Sequence, residues 1–376
     1  MLRPTRNVLR ARPRLAAAGL LGAALAALAP LPARPDPGLD DAPRAAATAR
    51  VNRSPEARAA VARALRFLAS RQNPDGSFGR WFGLADVSVA TTSLCGLAFL
   101  AEGSLPGRGP YGPQVHQAAR YLIACQKQSE LGYIAEPGYG GGSRMHGNGF
   151  AVLFLAELLG MSHDSKDGPA VEGLEEALRR AVQVIERYQT PEGGWNNEPS
   201  PIREEGSVTV TQCQALRAAR NAGIKIGRRT VDGAVRFLRH CADEDGGIRY
   251  NLQTWRTTYA LTGAGVASLC FLGEYDLPEV KRGIRYMTAV LEEEERAGWT
   301  RHRGSHRSYE TFYATQALYQ AGGPAWERWW PGLRAEILRR QESDGSWEDP
   351  YCPEMGTAFH TLALQVPNQI LPIFQR

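Results

Sequence analysis

The sequence lacks every short motif that would name a chemistry outright. Its six cysteines (Cys95, Cys125, Cys213, Cys241, Cys270, Cys352) include no Cys-x-x-Cys pair, which excludes a zinc knuckle and a dense disulfide framework. Most sit in apolar helical runs, where a free Cys acts as a small buried hydrophobe, although one or two disulfides stay open outside the cytoplasm. There is no Gly-x-Ser-x-Gly and no His-Glu-x-x-His. The glycine run Gly138-Tyr139-Gly140-Gly141-Gly142 follows no strand and precedes no Gly-Lys-Ser/Thr, so it is not a phosphate loop. Strand patterning is equally scarce, since Ser207-Val208-Thr209-Val210 alternates too briefly to count. Charge is nearly balanced: the net +5 comes largely from Arg3, Arg6, Arg10, Arg12 and Arg14, which argues against nucleic-acid binding.

Long apolar runs are also missing. The longest, from Leu15 to Leu28, is Ala-rich and short for a membrane span. Behind an Arg-rich start it reads as an export signal over residues 1–33, with a retained N-terminal anchor as the alternative. Residues 34–53 form a Pro/Ala/Asp linker. The expectation is an exported protein whose mature chain has no transmembrane span.

What the chain does have is a recurring corner. Gln72-Asn73-Pro74-Asp75-Gly76-Ser77-Phe78 returns as Gln189-Thr190-Pro191-Glu192-Gly193-Gly194-Trp195, Asp243-Glu244-Asp245-Gly246-Gly247-Ile248 and Gln341-Glu342-Ser343-Asp344-Gly345-Ser346-Trp347. Worn copies are Gln128-Ser129-Glu130-Leu131-Gly132-Tyr133 and Arg296-Ala297-Gly298-Trp299. A spacing of roughly 50 residues signals repeat architecture. In each copy a helix ends, an acidic–Gly pair supplies a positive-φ turn, and an apolar residue plugs the gap.

Amphipathic stretches precede the corners, at 55–71, 113–128, 171–189, 229–241, 278–294 and 326–341. Stretches rich in Ala, Thr, Ser, Gly and Leu follow them, at 86–102, 148–159, 207–222, 254–272, 308–321 and 356–366. Five of these six are poor in charge, and Gly103, Gly160, Gly223, Gly273 and Gly322 close the first five. Strict alternation predicts an all-α (α/α)6 toroid over residues 54–376, with six inner and six outer helices. An open solenoid is the alternative.

This Gln-x-x-Asp-Gly-Ser-aromatic corner resembles the repeat of squalene and oxidosqualene cyclases and of protein prenyltransferase β subunits. The likeness covers essentially the whole mature chain and is specific for fold, not for activity. The resemblance implies either an Asp-x-Asp-Asp-Thr-Ala acid motif or a zinc-holding Asp-x-Cys. The nearest stretch to the first is Asp86-Val87-Ser88-Val89-Ala90-Thr91, which keeps one Asp, and the second is absent. The start of the fifth inner helix, Ser308-Tyr309-Glu310-Thr311-Phe312-Tyr313, has no Cys.

No cofactor is therefore implied. Zinc on Cys352, His360 and His306 is an alternative without diagnostic spacing. A rearranged catalytic site would draw on Asp86, Glu310 and His360. Rim loops carry Arg80, Arg144 with His146, Arg203, Arg249, Arg256 and Arg303, so an anion site competes there with an ordinary solvated rim. Phe82, Tyr139, Phe150, Trp255, Tyr259, Tyr309, Tyr313 and Phe359 are candidates for a cavity wall. The residues marked for ligand binding are Arg144, His146, Trp255, Arg256, Arg303, Tyr309 and Tyr313. The functional expectation is an axial pocket for a hydrophobic or isoprenoid-like molecule or an envelope protein. The alternatives are a transferase or cyclase with a rearranged site, a glycan-acting enzyme, or a structural envelope module.

Overall fold

A computed structural model describes residues 54–79, 81–82, 85–136, 144–162, 171–298 and 306–375. The expected export signal and linker, and Arg80, Tyr139, Trp299 and Arg303, lie outside the described residues. Among those described are twelve α-helices: α1 (Pro55–Arg71), α2 (Ser88–Ala101), α3 (Gly112–Lys127), α4 (Arg144–Ser162), α5 (Leu174–Arg187), α6 (Gly206–Asn221), α7 (Arg228–Cys241), α8 (Tyr259–Phe271), α9 (Pro278–Arg296), α10 (Arg307–Ala321), α11 (Gly323–Arg339) and α12 (Pro353–Gln365). Odd-numbered helices are outer and even-numbered ones inner.

Each inner helix packs on the next, from α2 through α12, and α12 packs back on α2. The ring is closed, so the open-solenoid alternative falls. Outer α11 and inner α12 both touch α1, which brings the two ends of the repeat array together. Inner helices are buried almost all round: on α2 only Ala90 escapes full burial. Outer helices bury one stripe, as Ala57, Val61, Ala64, Leu65 and Leu68 do on α1. The Ser54 hydroxyl caps α1 by accepting the Ala57 N–H at 3.1 Å, with Pro55 in the first turn.

The corners share one geometry. In the third, Thr190 N–H donates to the Gly194 carbonyl at 3.0 Å and Gly193 N–H to the Thr190 carbonyl at 2.9 Å. Gly193 has φ +103°, and a Cβ there would stand 2.0 Å from the Gly233 carbonyl oxygen of α7, so only glycine fits. The corner Gln ties neighbouring outer helices. Gln72 Nε2 reaches the Gln114 carbonyl at 3.0 Å, and Gln189 Nε2 reaches that of Thr230 at 2.9 Å.

The plug residues Phe78, Ile134, Trp195, Ile248 and Trp347 are buried. Each offers its backbone N–H to a side-chain oxygen on the following inner helix: Thr92 (2.8 Å), Asn148 (2.9 Å), Thr209 (3.1 Å), Thr262 (3.0 Å) and Thr357 (3.0 Å). This bond fixes the register of five of the six inner helices against their corners; the plug position before α10, Trp299, lies outside the described residues.

Three details depart from the sequence reading. Gly160 lies inside α4, which runs on to Ser162, whereas Gly103, Gly223, Gly273 and Gly322 do take positive φ after their helices. Among the described residues two short antiparallel hairpins occur, β1 (Trp81–Phe82) with β2 (Ala85–Asp86) and β3 (Ile248–Arg249) with β4 (Thr257–Thr258). They build rim loops and need no alternating run. All six cysteines are free, so neither of the disulfides left open is formed. The apolar tail closes the far end of the ring: Leu371, Ile373 and Phe374 are buried, and residues 372–374 pack on α4 and α6. No described helix is long and apolar enough to cross a membrane.

Candidate functional site

The register bond dictates what faces the axis. Counting two residues back from the acceptors Thr92, Asn148, Thr209, Thr262 and Thr357 gives Ala90, His146, Ser207, Ala260 and Met355. With Tyr309 of α10, these six line one axial cavity of about 540 Å³ at the N-terminal rim of the inner helices. Counting two forward from the plugs Ile134, Trp195, Ile248 and Trp347 gives Glu136, Asn197, Tyr250 and Asp349, which line the same cavity nearer its mouth. Extended backbone repeats every two residues, so a buried plug and the cavity residue after it point the same way.

One helical turn deeper, aromatic rings close the axis. Phe359 (α12) meets Phe150 (α4) at 5.9 Å between centroids, Phe312 (α10) at 5.4 Å and Tyr309 at 6.4 Å. Tyr313 lies beneath Tyr309 at 4.6 Å and is fully buried. A further turn down, Gln214 Nε2 of α6 donates to Gln316 Oε1 of α10 at 2.8 Å, bridging helices that are not neighbours in the ring.

The mouth is acidic and phenolic. The Tyr250 hydroxyl donates to Glu205 Oε2, and burial, then this carboxylate, push the phenol up to about 12. Burial holds the Asp349 carboxyl above the usual carboxylate range, against the opposing pull of hydrogen bonds from the Tyr351 N–H (3.0 Å) and the Ser308 hydroxyl and of nearby His306. Glu136 Oε1 accepts the Val89 N–H at the start of α2, at 3.0 Å. Burial lowers the His146 imidazole despite the Glu205 carboxylate. His306 stacks on Tyr351 at 6.1 Å.

Of the residues marked from sequence, the cavity collects His146, Tyr309, His306 and Phe359, with Tyr313 just below. Arg144 belongs to a smaller cleft of about 260 Å³, where its Nη1 donates to the Tyr133 hydroxyl at 3.2 Å and faces Glu198 at 3.7 Å. Trp255 is 86% exposed, with the Arg249 guanidinium 5.7 Å from its ring centroid, and Arg256 is exposed beside it. Asp86 pairs through its backbone with Trp81 in the hairpin before α2. Glu310 is buried in the first turn of α10 and is not a lining residue.

His360 is buried, with Nδ1 bonded to the Gly356 carbonyl at 2.8 Å and its ring stacked on Trp347 at 5.4 Å; burial pushes it down to about 4. Cys352 sits 3.8 Å from the Thr91 hydroxyl, and burial raises its thiol to about 11. Among the described residues no three His, Cys, Asp or Glu side chains are grouped to hold a metal. Among the described residues no arginine lines the cavity. Arg249 is ion-paired with Asp243 at 3.0 Å, and Arg307 with Glu336 at 2.9 Å, while acids line the mouth. The sequence reading passed over Asn197, Tyr250, Asp349 and Tyr351. Their signal was the fixed offset from plug and acceptor, or a place at the end of a rim loop.

Known proteins agree with this architecture. No family model matches the chain. A drimenyl diphosphate synthase of Streptantibioticus cattleyicolor is 32% identical over 178 residues, which is 45% of this chain and 30% of that protein's length. The type II terpene cyclase MstE of Scytonema, in complex with its substrate geranylgeranyl dihydroxybenzoate, superposes with a TM-score of 0.53 at 14% identity, covering 85% of this chain and 98% of that one. An α-1,6-mannanase of Salegentibacter, in complex with α-1,6-mannotriose, superposes with a TM-score of 0.56 at 9% identity, covering 83% and 98%. At such identities these structures speak for the fold alone. The chain carries the α/α toroid fold of the terpenoid-cyclase-like proteins.

Proposed function

We propose that the axial cavity receives the hydrocarbon part of an isoprenoid-like small molecule, with its polar end at the acidic, phenolic mouth. The observation that carries this is the layering of the cavity. Ala90, Ala260, Leu261, Met355, Tyr309 and Phe359 give it an apolar and aromatic lower part, broken by His146 and Ser207, and its carboxyls gather toward the mouth. Its volume lies within the range of small-molecule sites, roughly 300–1,000 Å³. The partial likeness to a drimenyl diphosphate synthase supports the same ligand class.

One observation favours chemistry over binding alone. Asp349 is a cavity-lining carboxyl that burial keeps protonated to higher pH, and Tyr309 and Phe359 line the same cavity. In this reading Asp349 gives its proton to one carbon of an alkene, leaving a carboxylate and a tertiary carbocation. The ring faces stabilise that cation, and loss of a proton from a neighbouring carbon restores a double bond. Incubation with farnesyl and geranylgeranyl diphosphates and the parent alcohols, followed by mass spectrometry, tests it. Isomeric cyclised products lost in Asp349→Asn, with binding retained, support the acid role. Binding without any product leaves a carrier of the ligand, and turnover of a mannan instead overturns the proposal.

A further inference from the structure

The fixed charge of the cavity has one sign. Glu136, Glu205 and Asp349 line it, and among the described residues no lysine or arginine does. The arginines of the rim are engaged elsewhere: Arg144 with Tyr133 and Glu198 in the smaller cleft, Arg249 with Asp243, and Arg307 with Glu336.

The helix starts that would draw an anion to the mouth are already served by the chain itself. An inner helix carries partial positive charge on its first N–H groups. At α2 the Val89 N–H donates to Glu136 Oε1 at 3.0 Å, so the protein supplies its own carboxyl at this terminus. At α8 the Leu261 N–H donates to the Thr258 hydroxyl at 3.1 Å. At α4 the Met145 N–H donates to the Asn197 carbonyl at 2.9 Å, and at α6 the Gly206 N–H donates to the Tyr250 carbonyl at 2.6 Å.

A diphosphate entering this mouth meets carboxyls with no cation to offset them, and like charges brought together in a partly desolvated site oppose binding. A hydroxyl or an ammonium meets acceptors instead, and bonds to an ionised acceptor are the stronger kind. Tyr309 lines the same cavity, and its buried hydroxyl finds no hydrogen-bond partner among the described residues. Tyrosine ring faces attract an ammonium as well.

Resting on the isoprenoid reading above, we infer that this cavity selects a prenyl chain whose head group donates hydrogen bonds and carries no negative charge, an alcohol or an amine, over the corresponding diphosphate. The relative matched over part of its length is named for a diphosphate, so the head group is where the two part. The prenyl tail gains from the apolar part whatever its head, so farnesyl diphosphate still binds, only less tightly.

The test is calorimetric titration of the folded protein at neutral pH with farnesol, farnesylamine and farnesyl diphosphate, each at about 0.05 M and about 0.5 M salt. The alcohol and the amine should each bind at least tenfold more tightly than the diphosphate. Added salt should strengthen the diphosphate, because screening relieves the repulsion, and should weaken the amine. Glu205→Gln keeps an oxygen to accept the Tyr250 hydroxyl, and it should raise diphosphate affinity several-fold while lowering that of the amine. Should that variant not fold, Glu136→Gln, which keeps an acceptor for the Val89 N–H, carries the comparison. A diphosphate that binds as tightly as the alcohol, or that weakens with salt, overturns the inference and leaves the ligand class intact. Unchanged diphosphate affinity in the folded variants does the same. A wild type that binds none of the three overturns the ligand class and the inference together.

Discussion

Gln341 Nε2 donates to the Ala60 carbonyl at 2.9 Å, joining the last corner to the first outer helix across 281 residues of sequence. It is the same bond that Gln72 and Gln189 make to their neighbours, here closing the ring. Beside it Gly345 takes φ +94°, with the space for a Cβ only 2.8 Å from the Arg63 carbonyl oxygen. On the inner side of the seam, Glu354 of α12 is buried and paired with Arg71 of α1 at 2.7 Å.

Breaking that seam should cost stability in two graded steps. Gln341→Ala loses the partly buried Nε2 bonds to the Ala60 and Gly345 carbonyls and the exposed Oε1 bond from Arg63, and should cost about 1–2 kcal/mol. Gly345→Ala forces a side chain into left-handed backbone against a fixed carbonyl, and should cost about 2–3 kcal/mol. Urea unfolding of the two variants measures both. Equal, negligible losses would mean that the array is held by its neighbours alone and the closure contributes nothing.

The register bonds make a sharper prediction. Thr209→Val keeps the shape of the side chain but removes the acceptor of the buried Trp195 N–H, whose indole also donates to the Ile185 carbonyl at 2.7 Å. The loss should be about 1–3 kcal/mol, and Thr209→Ser should recover most of it. An unaffected midpoint in Thr209→Val would show that packing of the plug, not this bond, sets the helix register.

Two buried titratable groups bend the pH profile in opposite directions. Burial pushes His360 down to about 4 from an ordinary value near 6.5, so the unfolded chain takes up the proton first. Stability from this group is complete above pH 6.5 and is lost as pH falls toward 4, by about 3 kcal/mol. Burial raises Glu157 to about 8 from 4.5, although the Ile373 N–H donates to it at 3.2 Å and Arg217 is near. Here the folded chain keeps the proton, so stability is greatest below pH 4.5 and is lost as pH rises toward 8. Glu157→Gln should remove that loss and be more stable than the wild type at pH 8 by roughly 2–5 kcal/mol. Thermal melts from pH 4 to 9 check the slopes, and parallel profiles for wild type and variant would contradict them.

The architecture was legible because its corners are local. The Asp75-Gly76 and Asp344-Gly345 pairs announce their turn from adjacent residues, and the apolar circumference of α2 or α8 announces an inner helix. The site was less so. Tyr309 and His146 were found because an aromatic or a His near the start of an inner helix draws notice. Asp349 and Tyr250 were not, because what brings them to the axis is the bond between Trp347 or Ile248 and a threonine 10 or 14 residues later. The rim arginines left two readings open for a related reason. Sequence shows that Arg249 is a cation but not that Asp243 folds against it.

Occupancy of the axial cavity by ligand can be tested by filling the cavity with a side chain. Isothermal titration of the wild type and of Ala90→Phe with farnesyl diphosphate, alongside Trp255→Ala as a control outside the cavity, is the measurement. Ala90 lines the cavity, so a ring there should weaken binding at least tenfold, while Trp255, exposed on the rim hairpin, should be replaceable within a factor of two. Undiminished binding in folded Ala90→Phe, or loss confined to Trp255→Ala, would place the ligand elsewhere and contradict the axial site.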